Sequence, residues 1–169
     1  MRNIVPPFTR RTNKKPFVFG VIAVLLLAFL GAGCASKTTT ADSDYDRANA
    51  LRKEGRINDA LPYYTEVILK DRNLSHKATA YYYRGYCNEE LQDFGSAYRD
   101  YLASQLVACH IDRQDLPSRG SSRGKLMYSL CADLAPESAR EMRAKISKEL
   151  ADWAEGAVRK ALPADYFTD

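Results

Sequence analysis

Histidine is scarce in this chain of 169 residues, and the sequence contains no pattern typical of a catalytic site. The two histidines, His76 and His110, fall in predicted connections and belong to no recognisable nucleophile or metal-binding motif. The stretch Gly120 to Lys125 has three residues between its glycines, whereas a phosphate-binding loop has four and continues with Ser or Thr. We therefore expect no catalytic residues, no metal, no cofactor and no small-molecule substrate.

Basic residues are not in excess outside the N-terminal segment. The chain has 25 basic and 21 acidic residues, but five of the basic ones lie among residues 2 to 15. Without that segment the chain has 20 basic and 21 acidic residues, which gives a formal charge of −1. The overall charge therefore gives no argument for nucleic acid. Glu89 and Glu90, next to the tyrosine-rich stretch of the chain, would repel phosphate, so nucleic acid is not an expected partner.

The N-terminus has the pattern of a secretory signal. The basic segment precedes an apolar run, Phe17 to Leu30, and small residues follow in "LGAGCAS". This last stretch resembles a bacterial lipobox, and the resemblance implies that Cys34 is acylated and becomes the first residue of the mature protein. The expected boundaries are a signal peptide over 1–33 and a lipid-bearing cysteine with a flexible tether over 34–43.

The resemblance also implies a location. In lipoproteins, Ala after the acylated cysteine, here Ala35, points to the outer membrane in a cell with two membranes, and the domain would face the periplasm. An uncleaved transmembrane anchor is the alternative, because Pro16 to Ser36 is a stretch of 21 uncharged residues. A twin-arginine signal is a third option. The anchor alternative also places the rest of the chain outside the cytoplasm.

After residue 43, apolar residues recur every three or four positions, as in amphipathic helices, and never alternate with period two. A shift of 37 residues superimposes Tyr45 on Tyr82 and Tyr64 on Tyr101, which indicates an internal repeat. The pattern predicts an all-α protein with four helices in two hairpins over 44–109. The first predicted helix is capped by Ser43 and ends near Glu54, and the second is capped by Asn58 or Asp59 and ends near Lys70. The third is predicted over Lys77 to Leu91, and the fourth is capped by Asp93 and ends at about Cys109.

These hairpins resemble the tetratricopeptide repeat (TPR). Small residues stand where that family crosses its two helices, at Ala48 and Ala60 in the first unit and Gly85 and Ala97 in the second. Arg84 departs from the family pattern, which has Leu at that position. The resemblance implies a TPR-like scaffold with two repeats and a concave groove for a protein or peptide partner.

The predicted groove comes from the first helix of each unit. Three consecutive tyrosines, in "ATAYYYRGYC", point in three directions about 100° apart on a helix, with Tyr81 toward the core and Tyr83 toward a neighbouring element. Carrying the family's groove positions over gives the expected partner-binding residues Tyr45, Asn49, Arg52, Lys53, Thr79, Tyr82, Tyr86, Glu89 and Glu90. They form a basic end, an aromatic middle and an acidic end, which suits an extended peptide or a helix.

In the C-terminal third, the clustered Pro, Gly and Ser residues predict a loop over 110–124, and capping helices are predicted over 125–169. A short helix is expected before Pro136, followed by one long helix with a continuous apolar stripe. The stripe consists of Met142, Ile146, Leu150, Trp153 and Ala157. The long helix is expected to cap the repeats. The alternative is a structural subunit that associates with its partner through this stripe, with Trp153 as the anchor.

Three cysteines lie beyond Cys34, so at most one internal disulfide forms. Cys87 falls on a buried repeat position, whereas Cys109 and Cys131 flank the predicted loop and form the candidate pair. A thiol-dependent or metal-binding envelope protein is therefore an alternative function. The favoured interpretation is a lipid-anchored TPR-type adaptor in a cell-envelope assembly.

Overall fold

The computed structural model describes residues 40–114 and 120–167, and every regular element in these ranges is helical. The all-α prediction is therefore confirmed. The predicted signal peptide and Cys34 lie outside the described residues. The elements are α1 (Thr40–Lys53), α2 (Ile57–Lys70), α3 (Leu74–Glu90), α4 (Phe94–Gln114), α5 (Ser122–Ser129), a π-helical turn (Leu130–Leu134), α6 (Ala135–Lys145), α7 (Lys148–Ala161) and a 3-10 turn (Ala164–Phe167).

Helices α1 to α4 pack in chain order, each against the next. The small residues of both hairpins are buried at the helix crossings, and Ala48, Ala60 and Ala97 have no exposed surface. Gly85 is the tightest of these positions, since a Cβ there would lie 3.0 Å from the ring of Tyr101. Close approach of the helix backbones explains why these positions carry small side chains.

Three short connections are built by identifiable residues. Gly55 has φ +75°, a conformation in which glycine is not penalised, and it ends α1. Asp93 accepts a hydrogen bond from the backbone N–H of Ser96 at 3.1 Å, in the capping role predicted for it. Asn73 caps α3 in the same way, through the N–H of Ser75 at 3.0 Å.

Several predicted boundaries are wrong. Helix α1 already begins at Thr40, so Ser43 lies within it instead of capping it, and the helix includes the last residues of the segment assigned to the tether. Helix α2 begins at Ile57, without a cap from Asn58 or Asp59. Helix α3 begins at Leu74, three residues earlier than predicted, because Asn73 supplies the cap.

The predicted loop over 110–124 is also wrong at both ends. Helix α4 continues to Gln114, since Ile111 extends its buried face beyond Val107 and Ala108. At the other end Ser121 accepts a hydrogen bond from the N–H of Gly124 and starts α5.

The single long C-terminal helix is divided in two. Ile146 adopts an extended backbone conformation, and the side chain of Ser147 accepts from the N–H of Leu150 to start α7. The break changes the phase of the helix, so the predicted stripe does not form one buried face. Ala151, Ala154 and Val158 are buried, whereas Leu150 and Trp153 are 39% and 49% exposed.

Helix α4 is the centre of the C-terminal part. Helices α3, α5, α6 and α7 pack on it, and the 3-10 turn places Tyr166 against His110 with ring centroids 4.0 Å apart. Within the described ranges, no helix has both the length and the apolar character needed to cross a bilayer.

Candidate partner-binding face

A surface depression of about 410 Å³ lies on α1 and is completed by one residue of α3. Four of the predicted groove residues line it, together with three that were not predicted. The lining consists of Tyr45, Asp46, Asn49, Ala50, Arg52, Lys53 and Tyr83. We call this region the α1–α3 face.

Arg52 is the central side chain of this face. Its Nε donates to the hydroxyl of Tyr64 at 3.1 Å, and its guanidinium carbon lies 4.0 Å from the centroid of the Tyr83 ring. The Tyr64 hydroxyl in turn donates to Asn49 Oδ1 at 2.9 Å. These contacts fix the guanidinium of Arg52, which is half-buried beside an aromatic ring, where a cation is stabilised by the ring quadrupole.

Tyr45 forms one wall of the depression. Its ring stacks on His76 with centroids 4.9 Å apart, and His76 Nδ1 lies 2.8 Å from Asp71 Oδ2. Burial raises the pKa of Tyr45, against the weaker opposing effect of hydrogen bonds with Asn49 and Thr79. Tyr45 is therefore neutral at ordinary pH, and the stack on His76 holds its ring in place.

Three of the predicted groove residues serve the interior instead. Thr79 is buried, and its hydroxyl donates to the carbonyl of Ser75 at 2.7 Å. Tyr82 is half-buried against Tyr101, with ring centroids 5.4 Å apart. Glu89 accepts a hydrogen bond from the Tyr101 hydroxyl at 2.8 Å.

Glu89 also lies 3.6 Å from Lys145 Nζ, so it connects α3 to α6. Tyr86 and Glu90 remain exposed, and Tyr86 lies 5.9 Å from the Arg52 guanidinium. Partial burial raises the pKa of Tyr86, and the nearby charge of Glu90 raises it further. The acidic end of the predicted groove is thus Glu90 alone.

Tyr83 is the groove residue that sequence reasoning assigned elsewhere, toward a neighbouring element. A signal for it was present, because Tyr83 follows Asp46 by the same 37 residues that relate Tyr45 to Tyr82, and both Asp46 and Tyr83 line the depression. The lining therefore includes the repeat position shared by Asp46 and Tyr83, which is not among the groove positions that the family resemblance implied.

The structure places the two cysteines that flank the predicted loop in contact. Cys109 of α4 and Cys131 of the π-helical turn form a disulfide, with Cα atoms 4.7 Å apart. Cys87 is free and fully buried, and burial raises the pKa of its thiol to about 11. A thiol with that pKa stays protonated near neutrality and is a poor nucleophile.

Neither histidine belongs to a metal centre in the part of the chain that the structure describes, where no group of three or more His, Cys, Asp or Glu side chains is arranged to hold an ion. His110, predicted to lie in a loop, is buried in α4 with Nε2 2.9 Å from Gln114 Nε2. His76 lies in the first turn of α3 and pairs with Asp71, which lies between α2 and α3.

The helices and the α1–α3 face define an all-α protein built on stacked helical hairpins. Comparison with protein-family models, with curated proteins and with solved structures found no match. What the chain does must therefore be inferred from its own residues.

Proposed function

We propose that this chain is a lipid-anchored adaptor of the cell envelope, of the TPR type, which holds a segment of a partner protein against the α1–α3 face. The observation that carries the proposal is the depression around Arg52. It brings Tyr45, Asn49, Arg52 and Lys53 together with Tyr83, although these residues come from two separate helices.

The face combines the three features that peptide recognition uses. Arg52 and Lys53 supply positive charge, Asn49 supplies an amide, and Tyr83 supplies apolar area next to a fixed cation. Tyrosine and arginine are enriched at the centres of protein interfaces, since both give a large contact area with a polar end. An extended peptide with an acidic residue near Arg52 and a basic residue near the exposed Glu90 fits this order of charges.

The proposed lipid anchor places the domain near a membrane. Cys34 precedes the start of α1 at Thr40 by six residues, and a chain of that length spans at most about 20 Å. The α1–α3 face would then meet partners close to the bilayer surface. This fits an adaptor in an envelope machinery better than a freely diffusing protein.

Photo-crosslinking in the native cell tests the partner site. A photoreactive residue replaces Lys53, which is exposed and lines the depression. We expect one discrete adduct with another protein. Lys70, exposed at the end of α2, is the matched control and is expected to give none. Equal adducts from Lys53 and Lys70, or none from Lys53, would refute the proposed face.

Mass spectrometry of the intact, membrane-extracted protein tests the anchor separately. We expect a chain that begins at an acylated Cys34, and a Cys34→Ala variant that retains its signal and accumulates as the uncleaved, unmodified precursor. A full-length, unmodified mass for the unaltered protein would replace the lipid anchor with a transmembrane one.

A further inference from the structure

A second surface carries an unbalanced positive charge. Asp100 is completely buried and is shared by two arginines. Arg84 donates from Nε and Nη2 to the two carboxylate oxygens at 2.8 Å each, and Arg99 donates from Nε to Oδ1 at 2.9 Å. Two guanidinium groups therefore share one carboxylate, and one positive charge is left without a counter-charge in this cluster.

The excess charge comes to the surface at Arg99. The side chain of Arg84 is 14% exposed and that of Arg99 is 27% exposed. The guanidinium carbon of Arg99 lies 5.8 Å from the ring of Trp153 on α7. Trp153 and its neighbour Leu150 are the half-exposed apolar residues of this helix, at 49% and 39%.

The acidic residues of α7 are engaged elsewhere. Asp152 pairs with Lys148 at 2.7 Å, and Glu155 accepts from the Tyr98 hydroxyl at 3.0 Å. Glu149 is held at the start of the helix by its own backbone N–H and by Ser147, which lower its pKa. None of these contacts supplies a counter-charge to Arg99.

We infer that Arg99, Trp153 and Leu150 form a second docking surface, which binds a protein segment that presents a carboxylate next to an apolar side chain. The carboxylate pairs with Arg99, whose guanidinium is oriented by Asp100 and by the Trp153 ring. The apolar side chain covers Leu150 and Trp153. This surface belongs to α4 and α7 and is independent of the α1–α3 face.

An acidic protein segment fits the surface better than a membrane does. Binding to anionic lipid relies on several Lys and Arg residues on one polar face. Helix α7 instead carries three basic residues, Lys148, Arg159 and Lys160, against the three acidic ones. A single cation beside an indole ring matches one carboxylate, which a protein side chain provides.

Trp153 is the only tryptophan of the protein, so its fluorescence reports on this surface directly. The full-length protein is titrated with an amphipathic peptide made of Glu and Leu, and with the same peptide carrying Gln in place of Glu. We expect a saturable blue shift of the emission with the Glu peptide and an affinity at least about tenfold lower with the Gln peptide. Arg99→Gln is expected to remove that preference, and Arg99→Lys, which keeps the charge but not the planar guanidinium, to retain part of it.

Lys70→Gln, exposed at the end of α2 and outside both proposed surfaces, is the matched control and should leave the titration unchanged. The thermal midpoint of each variant shows whether the fold is kept, and Leu150→Ala, which leaves the ion cluster intact, should weaken binding of the Glu peptide if Arg99→Gln fails to fold. Equal binding of the Glu and Gln peptides, or no shift with either, would overturn the inference. A shift seen only with vesicles of anionic phospholipid would also overturn it, in favour of a membrane contact.

Discussion

Arg84 and Asp100 form a buried two-point ion pair that fastens α3 to α4, with Nε and Nη2 of the arginine each 2.8 Å from a carboxylate oxygen. The remaining nitrogen, Nη1, donates to Thr65 of α2 at 3.1 Å. Asn88 adds a further donor to Asp100 at 3.1 Å. Three consecutive helices are thus joined through the guanidinium of Arg84, a position where the resemblance to the TPR predicts Leu.

Removing the carboxylate alone should be costly. We expect Asp100→Ala to lower the free energy of unfolding by about 3 to 5 kcal/mol, because it leaves the buried Arg84 without a counter-charge. Urea denaturation followed by circular dichroism measures the loss. The double variant Arg84→Leu with Asp100→Ala should recover most of it, since the leucine removes the buried charge that Asp100→Ala leaves unpaired. A double variant no more stable than Asp100→Ala would contradict this account.

Gly85 provides the second prediction. A Cβ at this position would lie 3.0 Å from two ring atoms of Tyr101 and 3.4 Å from the carbonyl of Ala97. Tyr101 is buried and hydrogen-bonded to Glu89, so its ring has little room to move. We expect Gly85→Val to destabilise the fold by about 1 to 3 kcal/mol, measured as a lower urea midpoint.

Gly156 of α7 is the matched control for that substitution. Nothing lies within 4 Å of a Cβ built there, and the residue is in the interior of a helix. Gly156→Val should therefore be neutral or slightly stabilising, because valine is a better helix former than glycine. Equal losses at the two glycines would mean that the cost at Gly85 reflects valine in a helix and not the contact with Tyr101.

The third prediction concerns the bond between Cys109 and Cys131, which are 22 residues apart in the chain. Closing a loop of that size restricts the unfolded chain, and we expect its removal in Cys109→Ser with Cys131→Ser to cost about 3 kcal/mol. Reductant should lower the urea midpoint of the unaltered protein toward that of the double variant. It should leave the double variant itself unchanged.

Thiol titration checks the same arrangement independently. In a Cys34→Ala background, which leaves three cysteines, the folded protein should show no rapidly reacting thiol, because Cys87 is buried and burial raises the pKa of its thiol to about 11. Denaturation should expose one thiol, and denaturation with reductant should expose three. A rapidly reacting thiol in the folded state would contradict the burial of Cys87 or the Cys109–Cys131 bond.

The helical character of the chain was predictable because it depends on local spacing. The period of three to four apolar residues and the 37-residue shift identified both hairpins, and the small residues at Ala48, Ala60, Gly85 and Ala97 are buried where the helices cross. The Asp93 cap was predictable for the same reason, since it depends on three residues of sequence.

The remaining features depend on contacts that local rules do not reach. Arg84 and Asp100 are 16 residues apart, and only the packing of α3 on α4 brings them together. Neither Gly nor Pro stands at the break at Ile146, and Ser147 is equally compatible with an exposed position inside a helix. The break therefore has no local signal in the sequence. Of the candidate site, the α1 half was predictable from the family positions. On α3 the sequence predicted Tyr82, but Tyr82 packs on Tyr101, and Tyr83 lines the depression instead.

The fourth prediction is a loss of stability in alkali. Burial, followed by the hydrogen bond to Glu155, raises the pKa of Tyr98 to about 12. Burial also raises the pKa values of Tyr64 and Tyr101. An unfolded tyrosine has a pKa of about 10. Between that value and the folded pKa, the native state keeps a proton that the unfolded state has lost.

The sign follows from this difference in bound protons. The contribution of these tyrosines is fully present below about pH 10 and decreases as the pH rises through the folded pKa values, since unfolding then releases protons. Urea midpoints measured from pH 8 to pH 11.5 should therefore fall steeply above pH 10, and tyrosinate absorbance should rise together with unfolding. Tyr98→Phe should give a shallower decline than the unaltered protein, because it removes one of the raised groups. A constant midpoint over this range, with all tyrosines titrating near pH 10 in the folded state, would show that the rings are not buried as the structure places them.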